Sequence, residues 1–440
     1  MKIRLTRPGW RFVLIFLLLA SLMVGGYWYK FKYLNSQMAT SQEAVSYSSV
    51  AEVAFIEEAY GLINQHYWQA MSDEQLSDLF FQSLSRVYGS QPQLKEKNRA
   101  GLAKLVESLV GNQPDKDHPQ LIAQTLDLVL QNLQPFGRSR LYSQGDETAL
   151  QNTVDNVDPT TNLFETLGTI DTATAGAITT AYQQKKEQIE QTVADENEKT
   201  QQLAQVERAY QAVGDEVSRE RYAQTKVEPT ILGKSLSPQV YYIKIGKFSP
   251  TTVEDLASIL KKIPADNQTQ ALVLDLQANV GGAIDGLPYF LGPFIGKGQY
   301  AYQFFSRGET SDFKTVTDRI EQIANFKQVV VLIDAQTQSS AEVMAATLKK
   351  YGVGVLVGWT TKGWGTVERV FPLEKQISQA IKYSVFLVHS LTLDENGQPI
   401  EGAGVAPNVD VTKPGWQTEL LGYFNNLQLV DAVKQLVNDK

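Results

Sequence analysis

The chain contains no cysteine, which excludes disulfide bonds, thiolate metal sites and cysteine nucleophiles together. It has only three histidines, His66, His118 and His389, which lie far apart in the sequence. A multi-histidine metal site therefore finds no support. A serine–histidine triad would have to use one of these three, and none lies in a recognisable catalytic context. A phosphate-binding loop motif is also missing, and no cluster of residues implies a metal ion or an organic cofactor.

The chain also lacks a basic surplus, because its 40 lysines and arginines are outnumbered by 48 aspartates and glutamates. Binding to nucleic acid relies on a basic surface that displaces counterions, so no nucleic-acid partner is expected. The length of 440 residues, 43% of them hydrophobic, is sufficient for two or three domains with a sizeable core.

The N-terminus carries the clearest physical signal. Four basic residues, Lys2, Arg4, Arg7 and Arg11, precede the apolar run at residues 12–29. At about 1.5 Å per residue this run spans roughly 27 Å, close to the hydrocarbon thickness of a bilayer. The basic flank predicts a single-pass anchor in a bacterial-type cell membrane, with a cytoplasmic N-terminus and an extracytoplasmic body. The alternative is a cleaved signal peptide, but bulky aromatic residues stand where small residues are needed for cleavage.

Two kinds of hydrophobic periodicity follow the polar linker at residues 36–50. Val53, Ile56, Tyr60, Ile63 and Tyr67 recur at helical spacing, and further helical patterns occupy about residues 73–87 and 99–134. From about residue 240, short β-rich runs alternate with helical stretches, which indicates a mixed α/β core. These runs are Val240–Ile245, Ala271–Leu276, Gln328–Ile333 and Val353–Val357.

Four blocks within this core occur in a specific order. They are LDLQANVGG (Leu274–Gly282), AQTQSSAEVMAATL (Ala335–Leu348), VLVGWTTKGWGTVE (Val355–Glu368) and DENGQPIEGAGVAPNVDV (Asp394–Val411). Their order and spacing resemble the carboxyl-terminal processing, or tail-specific, serine peptidases. The resemblance is good over residues 238–436 and loose over residues 50–145. It implies a tail-specific protease core of the crotonase-like type that acts on or binds protein or peptide substrates, in particular C-terminal tails.

Ser339 stands at the nucleophile position of the resemblance, and Glu342 fixes that register. Ser339 precedes a predicted helix near Ser340, so unpaired backbone N–H groups at the helix start could stabilise an oxyanion. The resemblance assigns the oxyanion hole to the backbones of Gly281 or Gly282 and Ser340. The alternative for Ser339 and Ser340 is ordinary helix capping, a role that serine fills in many proteins.

The sequence departs from the family at the general base. The family's lysine, 25 residues after the serine, is Trp364 here, and the glutamine that orients it is Glu368. The arginine of the family's strand-end motif is Gln277. An indole N–H can only donate a proton, and a serine without a base is a poor nucleophile, so the resemblance implies a catalytically impaired member.

Lys362 is the weaker candidate for a base. If the segment is extended, Lys362 points to the same face as Trp364, but it could reach Ser339 only if the hairpin shifted by roughly 7 Å. The alternative to impairment is therefore an active serine endopeptidase that uses Ser339 with Lys362 or another base. An oligomer of this chain is left open.

Residues 150–235 lack the PDZ signature that usually precedes the family's core, and instead resemble a J-domain. Asn162–Ile170, Ala177–Ile189 and Gln202–Ala223 are similar to its opening helix, its second helix, and its third helix with the closing turn. The His-Pro-Asp loop that activates chaperone ATPases should follow the second helix, at about Glu190–Thr192, but is absent. A membrane-tethered co-chaperone is thus the less favoured function, and an unrelated helical hairpin remains the alternative for the insert.

These observations predict a mixed α/β chain of five parts. They are a cytoplasmic tip and transmembrane anchor at residues 1–35, a helical region at 36–155, a J-domain-like all-α insert at 156–228, a protease core at 236–415 and a C-terminal helix at 416–440.

Overall fold

The computed structural model describes residues 49–89, 93–111, 117–263, 268–394 and 396–438. The predicted membrane anchor at residues 12–29 lies outside this set. Within the described ranges, no helix is both long and apolar enough to cross a membrane.

Four helices form the N-terminal layer, and amphipathic spacing produces their shared core. They are α1 (Ser49–His66), α2 (Asp73–Tyr88), α3 (Arg99–Val110) and α4 (His118–Gln131). The predicted positions Ile56, Tyr60, Ile63 and Tyr67 are at most 2% exposed.

The region predicted to be helical also contains a strand, which corrects that prediction. Strand β1 (Arg140–Ser143) pairs with a strand of the α/β core at Tyr383–Phe386, and α5 (Gln144–Asp155) follows it. A four-residue edge strand is too short to show an alternating pattern, so periodicity did not reveal it. Through this pairing the N-terminal layer is joined to the core.

The insert is entirely helical, as predicted, and has its own hydrophobic cluster. Its helices are α6 (Leu163–Thr166), α7 (Ala175–Thr192), α8 (Glu196–Val213) and α9 (Glu216–Thr225). Two details differ from the prediction. The expected third helix divides at Gly214, because Asp215 accepts hydrogen bonds from Val217 and Ser218 and starts α9. Residues 190–192, where a loop was expected, form the last turn of α7.

A six-stranded sheet forms the centre of the core. In spatial order it contains β11 (Val409–Asp410), β8 (Val355–Gly358), β7 (Gln328–Ile333), β4 (Ala271–Asp275), β3 (Val240–Ile245) and β2 (Ile231–Ser237). All neighbours are parallel except β2, which is antiparallel to β3. The sheet therefore begins at Ile231, five residues before the predicted start of the core at residue 236.

Helices cover both faces of this sheet because its strands are apolar on both sides. On one face lie α10 (Thr252–Leu260), α11 (Leu287–Ile295) and α13 (Ser340–Lys350). On the other lie α14 (Trp416–Phe424) and α15 (Leu427–Asn438). The single C-terminal helix that was predicted is thus two helices, because Asn425 adopts a left-handed conformation with φ of 48° between them.

A second, antiparallel sheet holds the hairpin that follows residue 365. Its order is β1, β10 (Tyr383–Leu393), β5 (Tyr300–Ser306) and β6 (Glu309–Lys314), and β9 (Thr366–Pro372) also pairs with β10. The short helix α12 (Glu321–Ala324) leads from this sheet into β7. The N-terminal helices pack against β10 through Val385 and Leu387 and against the connection from β9 to β10 through Leu373 and Ile377.

Candidate active site

Ser339 occupies a strained turn between β7 and α13. Its φ of 57° and ψ of −127° lie in a region that L-residues other than glycine rarely adopt. Such strain persists only where the surrounding structure enforces it, and it is common at functional sites. Ser339 is half-buried, so its hydroxyl sits at the rim of the sheet and not inside the core.

The diglycine loop after β4 closes against this turn. A Cβ atom on Gly281 would lie 2.6 Å from Ser339 Cβ and 3.0 Å from the Ser340 nitrogen. A Cβ atom on Gly282 would lie 1.9 Å from the Phe248 oxygen, and the Ser340 hydroxyl donates to the Gly282 carbonyl at 3.0 Å. Only glycine allows both approaches, which confirms the predicted meeting of the two segments.

The backbone N–H groups near Ser339 differ in whether they already donate a hydrogen bond. The Gly281 N–H donates to Asn279 Oδ1 at 2.8 Å. Among the described residues, no acceptor pairs with the N–H groups of Gly282 or Ser340. Ser340 begins the eleven-residue helix α13, whose positive end favours a negative or strongly polar oxygen.

Glu342 links the Ser339 turn to the segment that carries position 364. This fully buried carboxylate accepts hydrogen bonds from the Ser339 and Trp364 nitrogens, at 2.9 and 2.8 Å, through the same oxygen. Its other oxygen accepts from the Gly363 nitrogen and the Thr361 hydroxyl. Burial raises the pKa of Glu342, although these four hydrogen bonds oppose the shift. The shared oxygen places the backbone of Trp364 beside that of Ser339, as the sequence register predicts.

Trp364 does not stand alone at its position. The Arg138 guanidinium stacks on the indole, with its carbon 3.4 Å from the ring centroid. Arg138 in turn forms an ion pair of 3.0 Å with Glu401, whose other carboxylate oxygen accepts from the Gly365 nitrogen. Sequence analysis missed Arg138, which follows α4 in the N-terminal layer, because nothing within the four blocks points to a residue so distant in the chain.

Glu368 lies at the N–H edge of the indole. Its Oε1 accepts from the Thr366 hydroxyl at 2.6 Å and, over a longer 3.4 Å, from Trp364 Nε1. Burial raises the pKa of Glu368, while these hydrogen bonds and the nearby Arg138 charge lower it in part. Trp364 and Glu368, which occupy the family's lysine and glutamine positions, are therefore in direct contact.

Lys362 is solvent-exposed and lies at the edge of the site. Its Nζ donates to the side chain of Gln338, the residue before Ser339, and is 4.9 Å from the Trp364 ring centroid. Residues 361–365 are irregular and not extended, since Gly363 has φ of 76°. The side chains of Lys362 and Trp364 nevertheless come together, and Lys362 contacts Gln338, the residue before Ser339.

Other polar groups complete the surroundings. Gln277 is 1% exposed, and its side-chain amide has no hydrogen-bond partner among the described residues. The neighbouring Asp275 is paired with Lys244 at 3.1 Å. The histidines are engaged elsewhere: His66 stacks on Phe371, and His389 contacts Ser390. In the described ranges no group of three or more His, Asp or Glu residues could hold a metal ion.

The chain was compared with known proteins. Residues 239–411 match the family model described as Peptidase family S41. The carboxy-terminal-processing protease of Bartonella bacilliformis is 26% identical over 178 residues, which are 39% of each chain. The carboxy-terminal processing protease CtpB of Bacillus subtilis is 29% identical over 205 residues, which are 46% of this chain and 39% of that protein. The alignments thus span about two fifths of the length of these curated relatives.

Solved structures that match the chain include a photosystem II D1 C-terminal processing protease. It is 14% identical, with coverage of 82% of this chain and 92% of that chain and a TM-score of 0.46. A lipoprotein from Streptococcus agalactiae is 12% identical, with coverage of 88% and 99% and a TM-score of 0.44. All four sequence blocks lie within the residues that the family model matches. Residues 239–411 therefore match peptidase family S41, and in this part of the sequence the chain is similar to carboxy-terminal processing proteases.

Proposed function

We propose that this chain is a membrane-anchored, extracytoplasmic member of the family that binds C-terminal tails of other proteins beside Ser339 and is impaired in cleaving them. The observation that carries the proposal concerns position 364, which lies beside Ser339 and which the family fills with its general base. Here that position holds an indole stacked under Arg138.

The binding half of the site is intact. The N–H groups of Gly282 and Ser340 are the donors we assign to the oxyanion hole, since that of Gly281 is already used by Asn279. Unpaired backbone N–H groups at a helix start also bind carboxylates, the group that ends every protein tail. A tail could therefore dock at Ser339 whether or not its peptide bond is cleaved.

The base half of the site is not intact. In the family's mechanism an uncharged lysine amine accepts the serine proton, whereas the Trp364 indole only donates. Its N–H faces Glu368, and its ring is covered by the Arg138 guanidinium. Without a base, Ser339 is a poor nucleophile at neutral pH.

The alternative is an active serine endopeptidase in which Lys362 serves as the base. The hydrogen bond from Lys362 to Gln338, next to Ser339, favours this alternative. Against it, a lysine becomes an uncharged base mainly when burial disfavours its charge, and Lys362 is exposed. We therefore favour impairment.

The test uses the full chain in detergent micelles, with fluorescein-labelled β-casein as an unfolded probe. We expect the parent and Ser339→Ala to bind the probe with similar affinity, measured by fluorescence anisotropy, and mass spectrometry to find no fragments. Amidation of the C-terminus of a 20-residue probe peptide should weaken binding about tenfold or more, because it removes the carboxylate.

Two results would contradict the proposal. Fragments made by the parent but not by Ser339→Ala would establish a working peptidase. An absence of binding to the unfolded probe would exclude a tail-binding cleft.

A further inference from the structure

A cleft of about 950 Å³ lies between the insert and the core, on the side of the sheet opposite to β11. One wall is formed by the end of α8 and by α9, including Tyr210, Gly214 and Gln224. The other wall is formed by β2 and by α10. The function described above does not use this cleft.

The cleft encloses the free edge of β2. Leu232 and Lys234 line it from one face of the sheet, together with their β3 neighbours Lys244 and Tyr242. Gly233 lines it from the other face, where Ile259 of α10 packs. A cleft with walls from both faces of an edge strand must contain the edge itself, where the backbone groups are.

The backbone groups on that edge can be identified from the register. The Gly246 N–H donates to the Thr230 carbonyl, so the carbonyl of Thr230 and the backbone groups of every second residue after it along β2 point toward β3. The N–H and C=O groups of Ile231, Gly233 and Ser235 then point away from β3. Among the described residues, no backbone group pairs with them on that side. The outward N–H and C=O groups of these three alternate residues can form hydrogen bonds with one added strand.

Several charges on the walls are engaged in ion pairs. Arg221 of α9 is 2.6 Å from Asp255, and Lys262 is 2.8 Å from Asp215. Lys244 is paired with Asp275. The recognition chemistry that the β2 edge itself offers is main-chain hydrogen bonding, which is tolerant of the bound sequence.

The cleft is within reach of Ser339. Because β2 is antiparallel to β3, the start of β2 at Ile231 lies beside the end of β3. The loop that bears Gly282 lies at this same end of the strands, since Gly282 pairs with Phe248 just after β3. A strand added to β2 would lie four inter-strand spacings from β7, roughly 19 Å, and about six extended residues span that distance.

We propose that this cleft binds an extended segment of the polypeptide whose tail enters the Ser339 site, by adding that segment as a strand to β2. The inference rests on the proposed function and names a second contact surface for the same ligand. The insert supplies the outer wall of this surface. The bound chain runs from β2 past the ends of β3 and β4 to Ser339.

The first variant acts on the backbone alone. Ser235 lies one residue beyond Lys234, the last β2 residue that lines the cleft. Ser235→Pro removes an outward N–H from this edge without breaking a β2–β3 hydrogen bond, and Ser235→Ala is the matched control that keeps this N–H. The second variant fills the cleft from the insert side: Gln224→Trp, with Gln224→Ala as its control. Both positions are exposed, so the fold should tolerate all four changes.

The probe is the same labelled β-casein with the full chain. We expect Ser235→Pro and Gln224→Trp to weaken binding fivefold or more and both alanine controls to bind as the parent does. Hydrogen exchange should show that casein slows exchange at the amides of Ile231, Gly233 and Ser235 in the parent.

The outcomes separate the two proposals. If casein binds but these amides stay unprotected and both blocking variants bind normally, the β2 site is wrong and the Ser339 cleft alone binds the chain. If casein does not bind to the parent at all, both the proposed function and the β2 site are overturned.

Discussion

Glu368 is a carboxylate held in a place that disfavours its charge. Burial raises its pKa above the ordinary 4.5, and the two side-chain donors and Arg138 offset this only in part. A carboxyl group whose pKa is higher in the folded state favours folding when protonated. That contribution is present below the unfolded pKa and is lost as pH rises through the folded pKa.

We therefore expect Glu368→Gln to be more stable than the parent at pH 8 and about equally stable near pH 4, where Glu368 is protonated. The midpoint of thermal unfolding should therefore rise at pH 8, where the parent keeps a charged Glu368 in a buried position. Glu374→Gln, at an exposed carboxylate, is the control and should leave the profile unchanged. A drop in the melting midpoint of Glu368→Gln at pH 8 would show that its contacts outweigh burial.

At the scale of single residues, the register of the sequence blocks was sufficient to name most residues of the candidate site. The assignment of Ser339, Glu342 and Trp364 follows from the resemblance of the blocks, and the structure adds that Glu342 accepts hydrogen bonds from the Ser339 and Trp364 nitrogens. Arg138 could not be predicted, because its contact with Trp364 depends on how the N-terminal layer packs on the core. The use of the Gly281 N–H by Asn279 was also invisible, since it depends on the local turn.

At the scale of elements, the close approach of the diglycine loop to the start of α13 is the contact that assembles the site. Gly281→Ala should therefore be costly, because Gly281 has φ of 82° and a new Cβ atom would meet Ser339 Cβ at 2.6 Å. We expect destabilisation of about 2 kcal/mol or more, from the left-handed backbone and the clash together.

The matched control is Gly286→Ala in the same loop. Gly286 has a negative φ of −79°, and nothing lies within 4 Å of an added Cβ atom. Urea unfolding followed by tryptophan fluorescence measures both variants. Equal midpoints for the two would mean that the loop moves away from Ser339 at little cost.

Element boundaries were predicted correctly where a continuous apolar run defines the element. They were missed where a single residue ends one helix and starts the next. Strands β3 and β7 coincide with their predicted runs. The breaks at Asp215 and Asn425 depend on one cap and one left-handed residue within otherwise helical patterns. Strand β2 was missed because its start carries mixed polarity, as expected for a half-exposed edge strand.

At the scale of the whole molecule, the insert is fastened to the core beside the β2 cleft. Asp255 of α10 is 6% exposed and accepts from Arg221 of the insert and from the nitrogen and hydroxyl of Thr230. Removing one partner of a buried pair leaves the other charge uncompensated, typically at a cost of about 3–5 kcal/mol.

We expect Arg221→Gln to loosen the insert, so that the α9 amides exchange at least tenfold faster in hydrogen-exchange measurements. Lys199→Gln is the control, because Lys199 pairs only with the exposed Glu196 within the insert, and such surface pairs contribute little. Unchanged exchange in α9 after Arg221→Gln would mean that apolar packing alone holds the insert in place.

The central claim is that the Ser339 site is complete except for its base, and restoring the base tests it most directly. A lysine at position 364 would face Glu368, whose charge raises the pKa of the lysine, and Arg138, whose charge lowers it. Trp364→Lys together with Glu368→Gln removes the raising influence, so this double variant should cleave β-casein at least tenfold faster than Trp364→Lys alone.

The measurement is therefore the rate of β-casein cleavage by the parent, by the double variant and by the double variant with Ser339→Ala. The account predicts fragments from the double variant only. Ser339-dependent cleavage by the parent, or silence from a folded double variant that still binds casein, would contradict it.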